Sequence, residues 1–421
     1  MTTAQFHHAL LQGRGTCVLA AREDPEKYRE EVLWACRELV SFDTQCEGSR
    51  VLLIYELVRL YPDRSPFVRA ACDALIACPS DGSWHVSSLA ELVELFFQDG
   101  DQAAWKALMK KYRQLYHQMR HVGPPEDCVY WVQRDDYERL AVILGWCRSY
   151  ATDIARDMGR LSLETEWLKD WDFDWFYDTK ARRYLRSMTK AAKTDPLLTE
   201  FFRVHETAWQ EYEIQRAQRR STRLPRDCRD EERVNAAVEH YLSAVTPAEK
   251  IEALGAFHWT AYPADPTPVI RDAQSEHENL HNTAWGVLGD IRHPAVRAFA
   301  MAYLQDEEDA FDTFCTNYEK QDEPLLLSHL QSQTIDFEET TGWHGDQLSV
   351  LTMDKQQPPA PISALRFIFE HTYCSQCRAD ALRQLGCRRM LTPELLEECR
   401  FDSNDNIRAY ARRCLSRREN K

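Results

Sequence analysis

Apolar side chains recur along most of this chain at spacings of three and four residues, which is the period of an α-helix. In the segment that follows Pro25, this period is kept by Tyr28, Val32, Leu33, Cys36, Leu39 and Val40. Long stretches lack the alternation of Val, Ile and Thr that strands need, and the chain has only 14 glycines. The pattern therefore predicts an all-α protein.

The first part of the chain reads as helices joined by short loops. The spacing predicts helices over 51–61 and 65–76, with Pro62 stopping the first of them. Further amphipathic helices are expected over 89–97 and 105–119. Helices of this length, joined by loops of a few residues, are typical of helical-repeat proteins.

The second half of the chain returns to the same alternation of short helices and turns. Helices are predicted over 247–259, 267–273, 280–291, 294–305, 310–318, 324–330, 362–369, 379–385, 393–399 and 406–415. Between them, near 334–361, the period disappears and glycines and prolines accumulate. We expect an irregular loop there, a feature that is uncommon in compact domains unless it is functional or mobile.

One short pattern occurs three times, at 65–76, 293–304 and 404–415. Each copy has a turn, a β-branched residue followed by Arg, small residues two and four places later, and a final apolar ridge. The small residues allow a paired helix to approach closely, while the ridge packs on the next unit. The pattern predicts repeated helix pairs that stack on one another.

These copies resemble HEAT repeats of the armadillo-like class. The sequence Leu288-Gly289-Asp290, followed by Pro294-Ala295-Val296-Arg297, is similar to the inter-helix turn and second-helix start of such a repeat. The resemblance covers about half of the chain and implies an α–α superhelix. It also implies that the Asp caps a helix and that the Arg reaches a carboxylate or carbonyl of a neighbouring repeat. The residues in those positions are Asp63, Arg69, Asp290, Arg297, Asp402 and Arg408.

The repeat pattern divides the chain into three parts. We expect N-terminal HEAT-like helix pairs over 1–82, a divergent, aromatic-rich helical section over 83–235, and a C-terminal HEAT-like array over 236–421. The boundary before the last part is a stretch at 216–233 that is rich in Arg and interrupted by Pro, and that we interpret as a helix end followed by an exposed loop.

Charge and cysteine content limit the classes of function. The chain carries 67 acidic and 52 basic side chains, a formal net charge of −15, which argues against nucleic acid as a partner. Its 14 cysteines are scattered, and no secretion signal precedes them, so we expect reduced thiols and a cytoplasmic protein. No apolar run approaches the ~20 residues that span a membrane.

Large aromatic and acidic side chains alternate in a run that we select as a candidate partner-binding site. Together they favour a cationic ligand or a basic peptide, through cation–π contacts and carboxylate pairing. The alternative is a buried aromatic ridge whose acidic residues face solvent. The candidate residues are Trp167, Trp171, Asp172, Asp174, Trp175 and Tyr177.

The metal candidates are incomplete in sequence. Cys374 and Cys377 form a CxxC pair, but tetrahedral zinc needs two further ligands and no second CxxC pair exists. Neighbouring residues that could supply them are His371, Cys387 and Cys399. His277 and His281 lie four residues apart on a predicted helix and also lack a third ligand. We therefore predict no metal, no cofactor and no catalytic residue.

We predict a non-catalytic helical-repeat scaffold whose acidic and aromatic concave surface binds a protein or peptide with a basic patch. One alternative is an enzyme that resembles the HEAT-like DNA-base glycosylases, in which aromatic and Asp side chains face a cationic damaged base. Such an enzyme needs a basic concave face, which the net charge does not favour. Another alternative is a self-associating structural or regulatory subunit. The partner and the oligomeric state stay open.

Overall fold

The structure is a computed structural model that describes residues 1–38, 49–79, 85–121, 230–258, 260–333, 341–353 and 358–419, with a few isolated residues between these ranges. Apart from short 3₁₀ helices of three or four residues, the regular elements in these ranges are α-helices, and none of the described residues forms a strand. The prediction of an all-α protein is confirmed.

Seven helices cover the described N-terminal residues. Their bounds are α1 Thr3–Gln12, α2 Thr16–Glu23, α3 Arg29–Glu38, α4 Val51–Val58, α5 Ser65–Ala77, α6 His85–Gln98 and α7 Gln102–His121.

Twelve more helices lie in the described residues after 230. They are α8 Glu231–Ser243, α9 Pro247–Leu254, α10 Thr267–Asp272, α11 Glu278–Leu288, α12 Pro294–Tyr303, α13 Glu308–Thr316, α14 Glu323–Ser332, α15 Thr341–Thr352, α16 Ile362–His371, α17 Ser375–Cys387, α18 Pro393–Cys399 and α19 Asp405–Glu419.

The chain divides into two compact units. The first unit contains Met1–Tyr212, Tyr373–Gln376 and Thr392–Lys421, and the second contains Glu213–Thr372 and Cys377–Leu391. The last two helices, α18 and α19, thus belong to the same unit as the N-terminal helices. The division passes through the first turn of α17, which is one continuous helix.

In the first unit, α5 packs against α3, α6 and α7. Its residues Phe67, Ala71 and Leu75 are completely buried. They lie on one face of the helix, with the small side chain of Ala71 at the centre. Pro66 stands in the first turn, where its missing N–H removes no helical hydrogen bond. These contacts fix the position of α7, because α7 packs on both α5 and α6.

In the second unit, α11 packs against α9, α10 and α13. Its Trp285 is almost completely buried and stacks on Phe299 of α12, with ring centroids 4.8 Å apart and planes 20° apart. Burying two large aromatic side chains against each other removes much apolar surface from water, which stabilises this part of the unit.

The acidic residues of the repeated pattern take different positions in their turns. The Asp63 carboxylate accepts a hydrogen bond from the backbone N–H of Ser65 at 3.0 Å, and this bond lowers the pKa of Asp63. Asp402 accepts one from the backbone N–H of Asn404 at 2.9 Å. Asp290 is exposed in the turn that follows α11.

The Arg residues of the pattern also differ in their contacts. Arg297 donates to the Asp322 carboxylate at 2.6 Å. Arg408 donates to the carbonyl of Asp402 at 2.5 Å and to that of Ser403 at 3.1 Å, both in the turn before its own helix. Arg69 is exposed.

The expectation of an irregular loop near 334–361 needs correction, because helix α15 (Thr341–Thr352) lies within it. This helix is not apparent from the sequence, and the reason is physical. Its buried positions include the polar residues Gln347 and Ser349 beside Val350, so the buried face is not apolar enough to show a helical period. Gly342 and Gly345 weaken the helical pattern further.

Candidate functional site

The acidic and aromatic run that includes Trp167, Trp171, Asp172, Asp174, Trp175 and Tyr177 lies outside the described residues. The arginine-rich stretch at 216–229 does as well. Both stay predictions.

Helix α7 carries the candidate site, and its buried face fixes how it is oriented. The Asp101 carboxylate caps the helix by accepting hydrogen bonds from the backbone N–H groups of Ala103, at 2.7 Å, and Ala104, at 3.1 Å. Leu108 and Leu115 are almost fully buried in the core of the first unit. Because this face is anchored, the opposite face is held toward solvent.

That opposite face carries a row of exposed basic side chains. Lys106, Lys110, Arg113 and His117 follow one another at spacings of four, three and four residues, so they lie along one stripe of the helix. A cavity of about 590 Å³ borders this stripe. We call this feature the α7 groove; on α7 it is lined by Trp105, Lys106, Met109, Lys110, Arg113, Gln114 and His117.

The α7 groove combines an apolar strip with a cationic edge. Trp105 and Met109 are half-buried beside the basic stripe, and the Trp105 ring packs on Phe97 with centroids 5.0 Å apart. No carboxylate among the described residues forms an ion pair with Lys106, Lys110 or Arg113. Among the described residues, the positive charge of the groove is therefore not neutralised by an ion pair.

Lys111 lies on the buried face of the same helix, in contrast to the exposed lysines of the groove. It is almost completely buried and donates to the backbone carbonyl of Cys78. A buried ammonium needs such a partner because desolvating a charge is costly. The lysines of the groove remain hydrated, so they are available to an anionic partner without that cost.

The sequence contains the signal for this groove, although the predicted helix over 105–119 was interpreted only as amphipathic. The spacing of Lys106, Lys110, Arg113 and His117 is regular, and a helical wheel would have placed them on one stripe. What the sequence does not show is that Trp105 and Met109 border a cavity there.

Within the second unit, Cys377 of the CxxC pair lies near a histidine. Cys374 directly precedes α17, and Cys377 lies in its first turn. His344, on α15, has a ring nitrogen within 4.8 Å of the Cys377 thiol. The sequence pointed instead to His371, Cys387 and Cys399, but none of these joins them within the described part of the chain.

Two further histidines, His281 and His329, lie beside carboxylates. His281 Nε2 lies 3.2 Å from the Glu307 carboxylate, and His277 immediately precedes α11. His329 Nε2 lies 2.8 Å from Asp346. Within the described ranges, the pair His277 and His281 gains no third metal ligand.

Comparison with known proteins adds no assignment. The chain matches no protein-family model, no curated protein and no solved structure. Across the described ranges, no helix combines the length and the apolar character that crossing a bilayer requires. The candidate site therefore depends on the geometry of α7 alone.

Proposed function

We propose that this protein is a non-catalytic, HEAT-like helical scaffold that binds an acidic segment of a partner protein in the α7 groove. The observation that carries the proposal is the row formed by Lys106, Lys110, Arg113 and His117, exposed beside the apolar strip of Trp105 and Met109. The HEAT-like arrangement of the helices rests on the repeated Val-Arg or Ile-Arg pattern.

The length of the row fits a peptide. From Lys106 to His117 the helix rises about 16 Å, which matches about three turns of a bound helix or about five residues of an extended strand. An amphipathic acidic segment would place apolar side chains on Trp105 and Met109 and carboxylates opposite the basic stripe. In such an interface the charges supply specificity and a fast association rate, while the apolar contacts supply most of the affinity.

The charge of this groove is opposite to that expected from the acidic and aromatic run. A basic partner remains the prediction for the run at Trp167–Tyr177, which lies outside the described residues. For the described surface, charge complementarity selects an acidic partner instead. A nucleic acid also carries negative charge, but the net charge of −15 would repel its backbone as it approaches the rest of the protein.

A peptide-display selection against the purified full chain tests the proposal. We expect the selected peptides to be rich in Asp and Glu and to contain aromatic residues or Leu. Their affinity should fall at least tenfold in a variant with Lys106→Glu, Lys110→Glu and Arg113→Glu. It should also fall with added salt, because the screening length shrinks from about 10 Å at 0.1 M to about 3 Å at 1 M.

A matched variant controls for the change in net charge. Arg412, Arg413 and Arg417 are exposed on α19 and lie outside the α7 groove. Changing these three to Glu alters the net charge by the same amount, and we expect peptide affinity to stay within about twofold of the unmodified protein, because none of the three lines the groove. Circular dichroism of both variants verifies that the helices are retained.

Three outcomes would reject this function. The first is selection of neutral or basic peptides, or equal loss of affinity in both variants. The second is a labelled single-stranded oligonucleotide that binds more tightly than the peptides and depends on the same three residues, which would favour a nucleic-acid protein. The third is a concentration-dependent mass in light scattering that the α7 variant abolishes, which would make the occupant a second copy of this chain.

A further inference from the structure

The C-terminal end of helix α19, over 412–418, is rich in arginine and contains no buried residue. The last buried residue before this range is Ala411. Four of the seven residues in the range are exposed arginines, and Ser416 stands exposed between them. Because no buried side chain anchors this end of the helix, it can open locally at a small cost in free energy.

The position of Ser416 relative to these arginines matches a charge pattern that one class of enzyme reads. Arg413 stands three residues before Ser416, and Arg412 stands four residues before it. Serine/threonine protein kinases that select basic substrates recognise them by complementary charge. Arginine suits this recognition because its planar guanidinium pairs with a carboxylate through two parallel hydrogen bonds. The segment 412–416 therefore supplies both the acceptor hydroxyl and the recognition charge.

Ser403 has the same spacing, since Arg400 precedes it by three residues, but the structure makes it inaccessible. It is only 6% exposed, and its hydroxyl accepts a hydrogen bond from the buried Arg50 at 3.1 Å. A kinase must bring the acceptor oxygen into line with the γ-phosphate of its nucleotide. A hydroxyl held in the core of the first unit cannot reach that position.

Thr392 also has an arginine three residues before it. Its hydroxyl caps α18 by accepting a hydrogen bond from the backbone N–H of Leu395 at 3.2 Å, and Leu391 and Leu396 on either side of it are buried. Moving this segment into a kinase cleft would expose both leucines to water, which costs free energy. Among the described residues, Ser416 is thus the acceptor with this spacing that no buried neighbour holds in place.

We propose that Ser416 is phosphorylated by an arginine-directed serine/threonine protein kinase. In this reaction the Ser416 oxygen attacks the γ-phosphorus of magnesium-bound ATP, and its proton passes to the catalytic carboxylate of the kinase. The bond from that phosphorus to the bridging β–γ oxygen breaks, and ADP leaves. The product is a phosphate monoester at the C-terminal end of α19.

The phosphate changes the charge of this helix end. It carries about −1.5 to −2 charges at pH 7, which cancels roughly half of the charge of the four exposed arginines over 412–418. Arg412 and Arg413 lie on the same side of the helix as Ser416, because residues three and four apart are neighbours. Their guanidinium groups can therefore pair with the phosphate. The site lies on α19, outside the α7 groove, so its test is independent of the proposed function.

Phosphorylation of the purified full chain in vitro tests the proposal. The probe is the catalytic subunit of a cyclic-AMP-dependent protein kinase, which is arginine-directed, supplied with magnesium and ATP. Peptide mapping by mass spectrometry locates the phosphate. We expect modification at Ser416, and less than about a hundredth of that extent at the buried Ser403. The variant Ser416→Ala should lose the phosphate from this peptide and keep the circular dichroism of the unmodified protein.

Two matched arginine variants test the recognition charge. Arg413→Gln removes the side chain three residues before the acceptor, and we expect the rate of phosphorylation at Ser416 to fall at least about tenfold. Arg417→Gln removes another exposed arginine, which follows the acceptor, and the rate should stay within about threefold of that of the unmodified protein. A synthetic peptide with the sequence of 408–419 serves as the positive control for the kinase.

The proposal fails if the kinase modifies the synthetic peptide but leaves Ser416 of the full chain unmodified, since the folded helix would then withhold the acceptor. It also fails if neither the chain nor the peptide is modified, because the arginine pattern would then not be read. Equal rates in Arg413→Gln and in the unmodified protein, or equal modification of Ser403 and Ser416, would likewise contradict it.

Discussion

Arg297 and Asp322 form an ion pair between two helix starts that lie 25 residues apart in sequence. The Nη2 atom of Arg297, in the first turn of α12, lies 2.6 Å from Oδ1 of Asp322, directly before α14. The Asp322 side chain is only 7% exposed, and its second oxygen accepts the backbone N–H of Glu319 at 2.9 Å. The hydrogen bond to Asp322 also raises the pKa of Arg297. The Asp322 carboxylate therefore accepts hydrogen bonds both from the Arg297 side chain and from the backbone of the turn before α14.

Removing the Asp322 carboxylate should destabilise the second unit. The variant Asp322→Ala leaves the partly buried Arg297 guanidinium with only the more distant Glu319 carboxylate, 3.8 Å away, and we expect a loss of about 2 kcal/mol in the free energy of unfolding. Urea denaturation followed by circular dichroism measures this loss. The control is Glu397→Ala, because Glu397 pairs with Arg400 on the exposed surface. That change should cost less than about 0.5 kcal/mol. Equal losses in the two variants would contradict the role given to burial.

Only one member of this ion pair could be predicted from the sequence. The repeated pattern drew attention to Arg297, and a HEAT-like Arg was expected to reach a neighbouring carboxylate or carbonyl. No local pattern identifies Asp322 as that partner, because the two residues meet only after the intervening helices pack. The helices themselves were predictable from apolar period, as over 294–305, because local spacing decides which face is buried.

The candidate sites also differ in whether the sequence alone could predict them. The basic stripe of the α7 groove depends on positions three and four residues apart, so the sequence contains it fully. The closeness of His344 to Cys377, within 4.8 Å, could not be predicted, since α15 has no clear apolar period and the two residues are distant in sequence. Long-range contacts of this kind depend on packing that one sequence does not display.

Alanine substitution of two glycines should change stability in opposite directions. At Gly15, an added Cβ would lie 2.1 Å from the backbone carbonyl oxygen of Glu398, so the variant Gly15→Ala must displace backbone. We expect a loss of at least about 2 kcal/mol in the free energy of unfolding. At Gly286, within α11, an added Cβ would meet open space. The variant Gly286→Ala should therefore gain about 0.5–1 kcal/mol from helix propensity.

Thermal unfolding of both variants verifies this pair of expectations. The two changes add the same methyl group, so a difference in sign isolates the local environment from the chemistry of the substitution. A Gly15→Ala variant as stable as the unmodified protein would show that the start of α2 and the C-terminal end of α18 do not approach as closely as the structure has them.

Arg50 should not tolerate replacement by lysine. Arg50 is 1% exposed, and its acceptors include the Ser403 hydroxyl at 3.1 Å, the Leu11 carbonyl at 3.2 Å and the Tyr373 carbonyl at 2.6 Å. Lysine has a single charged nitrogen and cannot reproduce the planar fork of donors. We expect Arg50→Lys to lose about 3 kcal/mol, close to the effect of breaking a buried charged contact.

Hydrogen exchange measures which parts of the first unit are destabilised by Arg50→Lys. Because the acceptors of Arg50 come from the N-terminal and C-terminal parts of the first unit, exchange should accelerate in 392–419 as well as around α4. The conservative control is Arg59→Lys, since the Arg59 side chain is 52% exposed and contacts only its sequence neighbours Glu56 and Tyr55 among the described residues. A uniform exchange profile in Arg50→Lys would argue against its linking role.

Tyr55 should make stability depend on alkaline pH. Its hydroxyl donates to the Asp99 carboxylate at 2.7 Å, and burial together with that carboxylate raises the pKa of Tyr55 to about 12. The unfolded chain loses this proton near pH 10, while the folded protein keeps it until about pH 12. In that window the folded state binds more protons than the unfolded state, so stability falls as the pH rises.

The variant Tyr55→Phe removes the ionisable hydroxyl and should remove this part of the pH dependence. Below about pH 9 the stability difference between Tyr55→Phe and the unmodified protein should be constant, because Tyr55 is neutral in both folded and unfolded states. Between pH 10 and 12 the unmodified protein should lose stability faster than the variant. Urea midpoints measured across this range, with phenolate absorbance recorded in parallel, test the expectation. A stability difference that stays constant up to pH 12 would mean that Tyr55 titrates alike in both states and that the contact with Asp99 does not hold its proton.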